Sequence, residues 1–241
     1  MHRLLAIVLG CVLLTGCASS SRDPSGTWIN QRAIDAAVDS GNLREALLAY
    51  GPNLEWQIDT ALQRAVFTNG YQQNEGHLAQ SEDGTFQVSF DTDHQEQLSQ
   101  SGDKLTQAAS AAWPEQHFSL TTPSSSTLGG TFTQALYAAY LGGTWKIEEG
   151  LGRGGLVLFG SDGSVKGLPG AERYALCLAG DCAAMNGEAD GIWLQLGNRG
   201  DSWLFERDGR NLRIYQAINR AAADEMASLH KGTQHWKLVL Q

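Results

Sequence analysis

Ser25-Gly26-Thr27-Trp28 opens the first patterned part of the chain, and Gly143-Thr144-Trp145 repeats its core far downstream. Read as a weak internal repeat, the pair divides the chain into two modules of about 100 residues each. Glycine lets the backbone enter closely, and a tryptophan on a first strand plugs one end of a small β-core. The residues after the second tripeptide read as strands. Trp145 and Ile147 alternate with Lys146 and Glu148, residues 156–159 (LVLF) form a buried run, and Ser161-Asp162-Gly163 turns the chain. Residues 174–177 and 182–185 read as a hairpin, and 191–196, 202–206 and 212–216 as a meander. An Ala-rich helical turn at 220–229 precedes a last strand carrying Trp236, Leu238 and Leu240. Roughly eight short strands with Gly turns predict an up-and-down barrel or a strongly coiled sheet. Pairing the first strand with the last would remove the exposed edges.

The first module is mixed. Ile34, Ala37 and Val38, then Leu43, Ala46, Leu47 and Tyr50, recur at helical spacing. Gly41-Asn42 breaks and recaps this pair, and Gly51-Pro52 stops it. Leu54, Trp56 and Ile58 then alternate with polar residues, and 64–68 reads as the next strand. Hairpins are expected across Glu82-Asp83-Gly84 and Ser101-Gly102-Asp103, with 117–120 closing the module. Residues 121–130 (TTPSSSTLGG) read as a linker, and 131–140 as a short helix that packs Phe132, Leu136 and Tyr140 on the second module. The expected fold is mainly β with some α: two small β-barrel or coiled-sheet modules in tandem, 25–120 with a helical insertion and 131–241.

Met1-His2-Arg3 is a short positive start, and residues 4–14 are an unbroken apolar run. The run is too short for a spanning helix, which needs about 20 residues, and suits a signal peptide. It ends in Leu14-Thr15-Gly16-Cys17, which resembles the lipobox of bacterial lipoproteins. The resemblance implies removal of residues 1–16, acylation of Cys17 with palmitate-like chains, and anchoring in a membrane. Ala18, where an aspartate would favour inner-membrane retention, implies the outer membrane and a periplasm-facing chain. Residues 17–24 form the tether; at most about 25 Å long, it keeps the first module near the bilayer. With 17 Lys+Arg against 26 Asp+Glu, the net charge of −9 argues against nucleic acid and against electrostatic attraction to anionic lipid.

Two further resemblances concern the second module. The Gly-Thr-Trp opening, the Leu-Val-Leu-Phe run with its Asp-Gly turn, and Tyr174-Ala175-Leu176-Cys177 resemble META/HslJ-type envelope domains over about residues 142–215. That pattern carries Gly-Cys-Asn where this chain has Gly170-Ala171-Glu172. Gly-x-Trp on a first strand is also similar to lipocalins. Neither resemblance brings a catalytic residue.

Cys177 and Cys182, spaced C-x₄-C, read as a structural disulfide at a hairpin tip, in keeping with an oxidising compartment. A redox or metal site would want C-x-x-C or nearby ligands. Gly150, Gly152 and Gly155 spell G-x-G-x-x-G, but a strand follows instead of a helix, so the stretch reads as a β-loop. Asp91, Asp93 and His94 read as a polar loop, Asp181 and Asp190 as turn residues, and His230 and His235 as surface. Glu172, Asp224 and Glu225 are the candidates for paired acids. Trp28, Trp56, Trp145 and Trp236 fall at inward positions. Trp193 and Trp203 would make an exposed aromatic patch if both project from one sheet face; otherwise they pack in the core. No metal, cofactor or catalytic group is assigned. The expected function is a non-catalytic binding or structural lipoprotein with an envelope protein partner. The alternatives are a lipocalin-like carrier of a small apolar ligand and an envelope hydrolase.

Overall fold

Trp28 is buried at the centre of β1 (Gly26–Ile29), and seven antiparallel strands follow it around a ring. They are β2 (Glu55–Asp59), β3 (Arg64–Thr68), β4 (Gln73–Gln80), β5 (Phe86–Ser89), β6 (Gln95–Ser101), β7 (Lys104–Gln107) and β8 (Gln116–Thr121). This computed structural model describes residues 23–91, 94–110 and 113–241, so Cys17 and Asp93 lie outside the described residues. β8 pairs back onto β1 with Trp28 opposite Leu120, closing the barrel. Alternation fills it: Trp56, Ile58, Phe67, Val88, Leu98, Leu105 and Phe118 meet in one apolar cluster.

The second half repeats this plan. After α3 (Gly130–Tyr140) come β9 (Gly143–Gly150), β10 (Leu156–Phe159), β11 (Val165–Lys166) and β12 (Arg173–Leu176). α4 (Gly180–Asn186) leads to β13 (Asp190–Leu196), β14 (Arg199–Asp208), β15 (Asn211–Asn219) and β16 (Leu229–Leu240). The eight strands run β11-β10-β9-β16-β15-β14-β13-β12. A bridge between Ser164 and Arg173, with Val165 N–H to Glu172 O (2.8 Å) and Tyr174 N–H to Gly163 O (2.8 Å), draws β11 and β12 together. The protein is therefore mainly β, with two eight-stranded barrel-like sheets in tandem and helices between them.

The duplicated tripeptide does the same work twice. Trp28 Nε1 donates to Pro24 O (2.8 Å), and Trp145 Nε1 to Leu141 O (2.9 Å), each four residues back. Trp28 sits opposite Leu120 on β8, and Trp145 opposite Leu240 on β16. Gly26 and Gly143 both have positive φ (140° and 120°), and a Cβ at either would meet the δ-methyl of that same leucine at 2.8 and 3.0 Å. Only glycine admits both the conformation and the closing strand.

The helices break the symmetry. α1 (Gln31–Ser40) and α2 (Leu43–Tyr50) start at asparagine caps: Asn30 Oδ1 accepts from Ala33 N, and Asn42 Oδ1 from Glu45 N. Their apolar faces need cover, and the first barrel's interior is already filled by its own strands. Ile34, Ala37, Leu43 and Leu47 instead join Phe132, Leu136 and Tyr140 of α3 and the inner face of the second barrel in one cluster. By sequence the pair belongs to the first module; by packing it belongs to the core of the second. The expected linker 121–130 connects β8 directly to α3, with Ser124 N–H on Thr131 Oγ1. The hairpin expected around the cysteines is absent: Cys177 follows β12, whereas Cys182 lies on α4. The helical turn expected at 220–229 is likewise corrected, for 220–228 is a loop and β16 already begins at Leu229.

Candidate functional site: a groove where the modules meet

Each module caps a helix of the other with a buried carboxylate. Asp190, the first residue of β13, accepts from Leu43 N (2.9 Å) and Arg44 N (2.7 Å) at the start of α2, and from Tyr140 Oη (3.2 Å). Glu55, the first residue of β2, accepts from Phe132 N (2.9 Å) at the start of α3 and from Gln57 Nε2 (2.9 Å). Both carboxylates satisfy helix N–H groups that have no intrahelical partner. Burial pushes the Asp190 carboxyl above its ordinary value, against the lowering effect of the two backbone bonds. Burial, and then the nearby Asp190 charge, push the Tyr140 hydroxyl up strongly.

Around Asp190 the surface is concave. One cleft of about 320 Å³ is lined by Asn42, Glu188, Asp190, Arg207, Arg213 and Lys231 among others. It adjoins a second of about 300 Å³ at Asn42, Arg44, Glu45, Leu48 and Glu188. A third of about 520 Å³, between α4 and the 228–231 end of the β15–β16 hairpin, shares Glu188, Ala189 and Lys231 with the first. Together they form a groove whose walls come from α2, α4 and strands β13 to β16. Lys231 is latched to Glu206, which also accepts from Tyr215 Oη (2.8 Å). The Lys231 hydrogen bond holds the Glu206 carboxyl below its ordinary value, while burial and then Glu206 push Tyr215 up to about 12. Arg207 donates to Val38 O (2.9 Å) and lies 5.0 Å from the Tyr140 ring centre. The groove therefore presents cations and acids side by side.

Of the residues singled out from sequence, Asp190 and His230 line this groove, and the others fall elsewhere. Cys177 and Cys182 form a disulfide, with S–S 2.06 Å, that ties α4 to the end of β12. Trp193 projects outward, 43% exposed, and its ring lies across Gly200, where a Cβ would come within 2.4 Å. Trp203 stands opposite buried Ile192, so it turns to the other face of the sheet, against His235 (4.8 Å between ring centres) and Trp236 (5.2 Å). Strand alternation thus separates the two tryptophans, and no shared aromatic patch forms. Gly150, Gly152 and Gly155 shape the β9–β10 turn, with Ile147 N–H on Gly155 O. Asp91 caps His94 N (2.7 Å), and His94 Nε2 lies 3.4 Å from Glu96.

Glu172 accepts from Gly197 N (2.8 Å), and Glu225 from Ala222 N (3.3 Å), each a local turn contact in a different loop. His230 borders the groove beside Ser228, and His235 belongs to the Trp203–Trp236 cluster. Among the described residues, no group of three or more His, Cys, Asp or Glu is placed to hold a metal. Sequence reasoning took Asp190 for a turn residue and passed over Glu55, because both open strands and act on helices distant in the chain. No family profile, curated protein or solved structure matches the chain.

Proposed function

We propose that the chain is an envelope lipoprotein, anchored in the outer membrane through lipid on Cys17 and facing the periplasm, which binds a protein partner without catalysing a reaction. The Leu-Thr-Gly-Cys ending of the apolar run and Ala18 support the anchor. The Cys177–Cys182 bond suits an oxidising compartment. The groove around Asp190 carries the binding reading, because its walls come from both modules. Its mixture of Arg44, Arg213 and Arg220 with Glu188 and Asp208 resembles the polar rim of a protein interface. The strand side chains filling the first barrel and the helix-sealed core of the second favour an external site over an internal one.

A photo-crosslinking residue at Glu188, in intact cells, tests this reading. A discrete crosslinked protein is expected from position 188 and none from exposed Leu156 on the outer face of β10. Equal labelling at both positions, or none at 188, removes the groove from consideration. Cys17→Ser should release the protein from membranes; continued sedimentation with them refutes the anchor.

A further inference from the structure

We propose that the end of the first barrel at which the chain enters rests on the bilayer, with Leu62 inserted among the lipids. The proposal builds on the lipid anchor at Cys17 and adds the face that meets the membrane.

Three observations converge on this end. First, the chain is tied down there. Asp23 Oδ1 accepts from Thr60 Oγ1 (2.8 Å), Ser25 N (2.9 Å) and Ser25 Oγ (2.7 Å). Only five residues separate Cys17 from Asp23, and that stretch spans about 20 Å at full extension. Second, Thr60 belongs to the β2–β3 turn, which also carries Leu62, 69% exposed, with its N–H held by Asp59 Oδ1 (3.0 Å). Leu120, 44% exposed, lies at the end of β8 on the other side of β1, against Gly26. A lipidated residue so close brings both leucines within reach of the headgroup and acyl boundary, into which apolar groups sink by about 5–10 Å.

Third, the charges at this end fit one kind of lipid. Asp23 and Asp59 bond the turn that carries Leu62, Asp103 O accepts from Leu120 N (3.0 Å), and Glu82 and Asp83 occupy the β4–β5 turn; of the cations, Arg64 is paired with Glu75 at 2.7 Å and Lys104 donates to Ser119 Oγ (2.9 Å). Among the described residues these two cations form no patch that would attract anionic headgroups, so apolar insertion beside zwitterionic headgroups is the mode this surface suits. With Glu82 and Asp83 across the ring, the contact lies to one side and the barrel leans.

The test uses the lipidated full-length chain in vesicles of phosphatidylethanolamine and phosphatidylcholine. An environment-sensitive fluorophore is placed by Leu62→Cys or, as the control, by Leu156→Cys on the second barrel. Quenching by aqueous iodide should fall about threefold or more at 62 relative to 156, as expected of a group sunk below the headgroups, and a lipid-borne quencher should show the reverse order. Equal iodide access at both positions, in protein that floats with the vesicles, overturns the docking face and leaves the anchor standing. Shielding of position 62 that persists in soluble Cys17→Ser protein, together with a dimer on sizing, assigns the surface to a second copy and likewise overturns the proposal. A chain that fails to float defeats the anchor and the docking face together.

Discussion

The two barrels share strand number, opening tripeptide and closing register, yet they bury their ends differently. The first encloses a self-contained cluster of buried strand residues, with partly buried Phe90 just past β5 packed against it. The second shares its core with three helices, two of them supplied by the first module's sequence. Pairing of the first strand with the last is thus common to both modules, whereas the cover over the second sheet's core comes from inserted helices. The consequence is unequal dependence: the first barrel's apolar cluster is complete without the second, but the second barrel's is incomplete without α1 and α2.

The largest effects are expected from removing the two central tryptophans. Trp28→Ala and Trp145→Ala should each cost about 3–5 kcal/mol, as expected for a fully buried aromatic. Hydrogen exchange should separate them. Trp145→Ala should lower protection in β9 to β16 and in α1 to α3, while Trp28→Ala acts mainly on β1 to β8. If both substitutions weaken the same amides, the first barrel is not self-contained.

Next come the cross-module carboxylates. Asp190→Ala and Glu55→Ala each leave buried helix N–H groups without acceptors, a loss of about 1–3 kcal/mol for each variant. A double-mutant cycle in denaturant should show coupling above about 0.5 kcal/mol, because both act on one helical layer; additivity would mean that the two caps work separately. Asp190 also predicts a pH signature. Its carboxyl is raised in the folded state, so folding favours its protonated form, and its contribution to stability grows as pH falls from neutral towards the ordinary aspartate range. The stability difference between wild type and Asp190→Asn should therefore shift towards wild type on acidification, and a constant difference would refute the raised value.

The most local effect is expected at the disulfide. Cys177→Ser with Cys182→Ser opens a very short loop, worth about 2 kcal/mol in the chain-entropy description. The loss should be felt at α4 and at buried Leu204 beneath it, with the first barrel unmoved; lost protection in β1 to β8 would contradict a local staple.

Much of the strand architecture was legible because alternation names the buried face directly. Trp56 and Ile58, Phe86 and Val88, and Trp236 and Leu238 all read inward and are buried. The amphipathic spacing of α1 and α2 likewise marked which face to bury, but nothing local states against what. Their destination depended on the first barrel being full, which is a property of volumes. The capping role of Asp190 was hidden for a related reason: its partners Leu43 and Arg44 lie 147 and 146 residues away. At residues 220–229 the Ala-rich composition favoured helix, and β-pairing of Leu229 with Asn219 overrode that preference at the C-terminal end. The cysteine spacing permits either a hairpin or a helical turn, and spacing alone does not distinguish them.

The bond from Trp28 to Pro24 has a mechanical meaning as well. β1 is hydrogen-bonded on both sides, to β2 and β8, and both neighbours run antiparallel to it. Tension applied through the residues before Asp23 would load those two ladders in shear along the strand, and would pass through the indole into the middle of the barrel. Many bonds must then yield together, whereas a strand peeled from an edge gives way one bond at a time. Under the proposed anchor at Cys17, the chain entry from Asp23 to Trp28 would carry tension into both ladders at once.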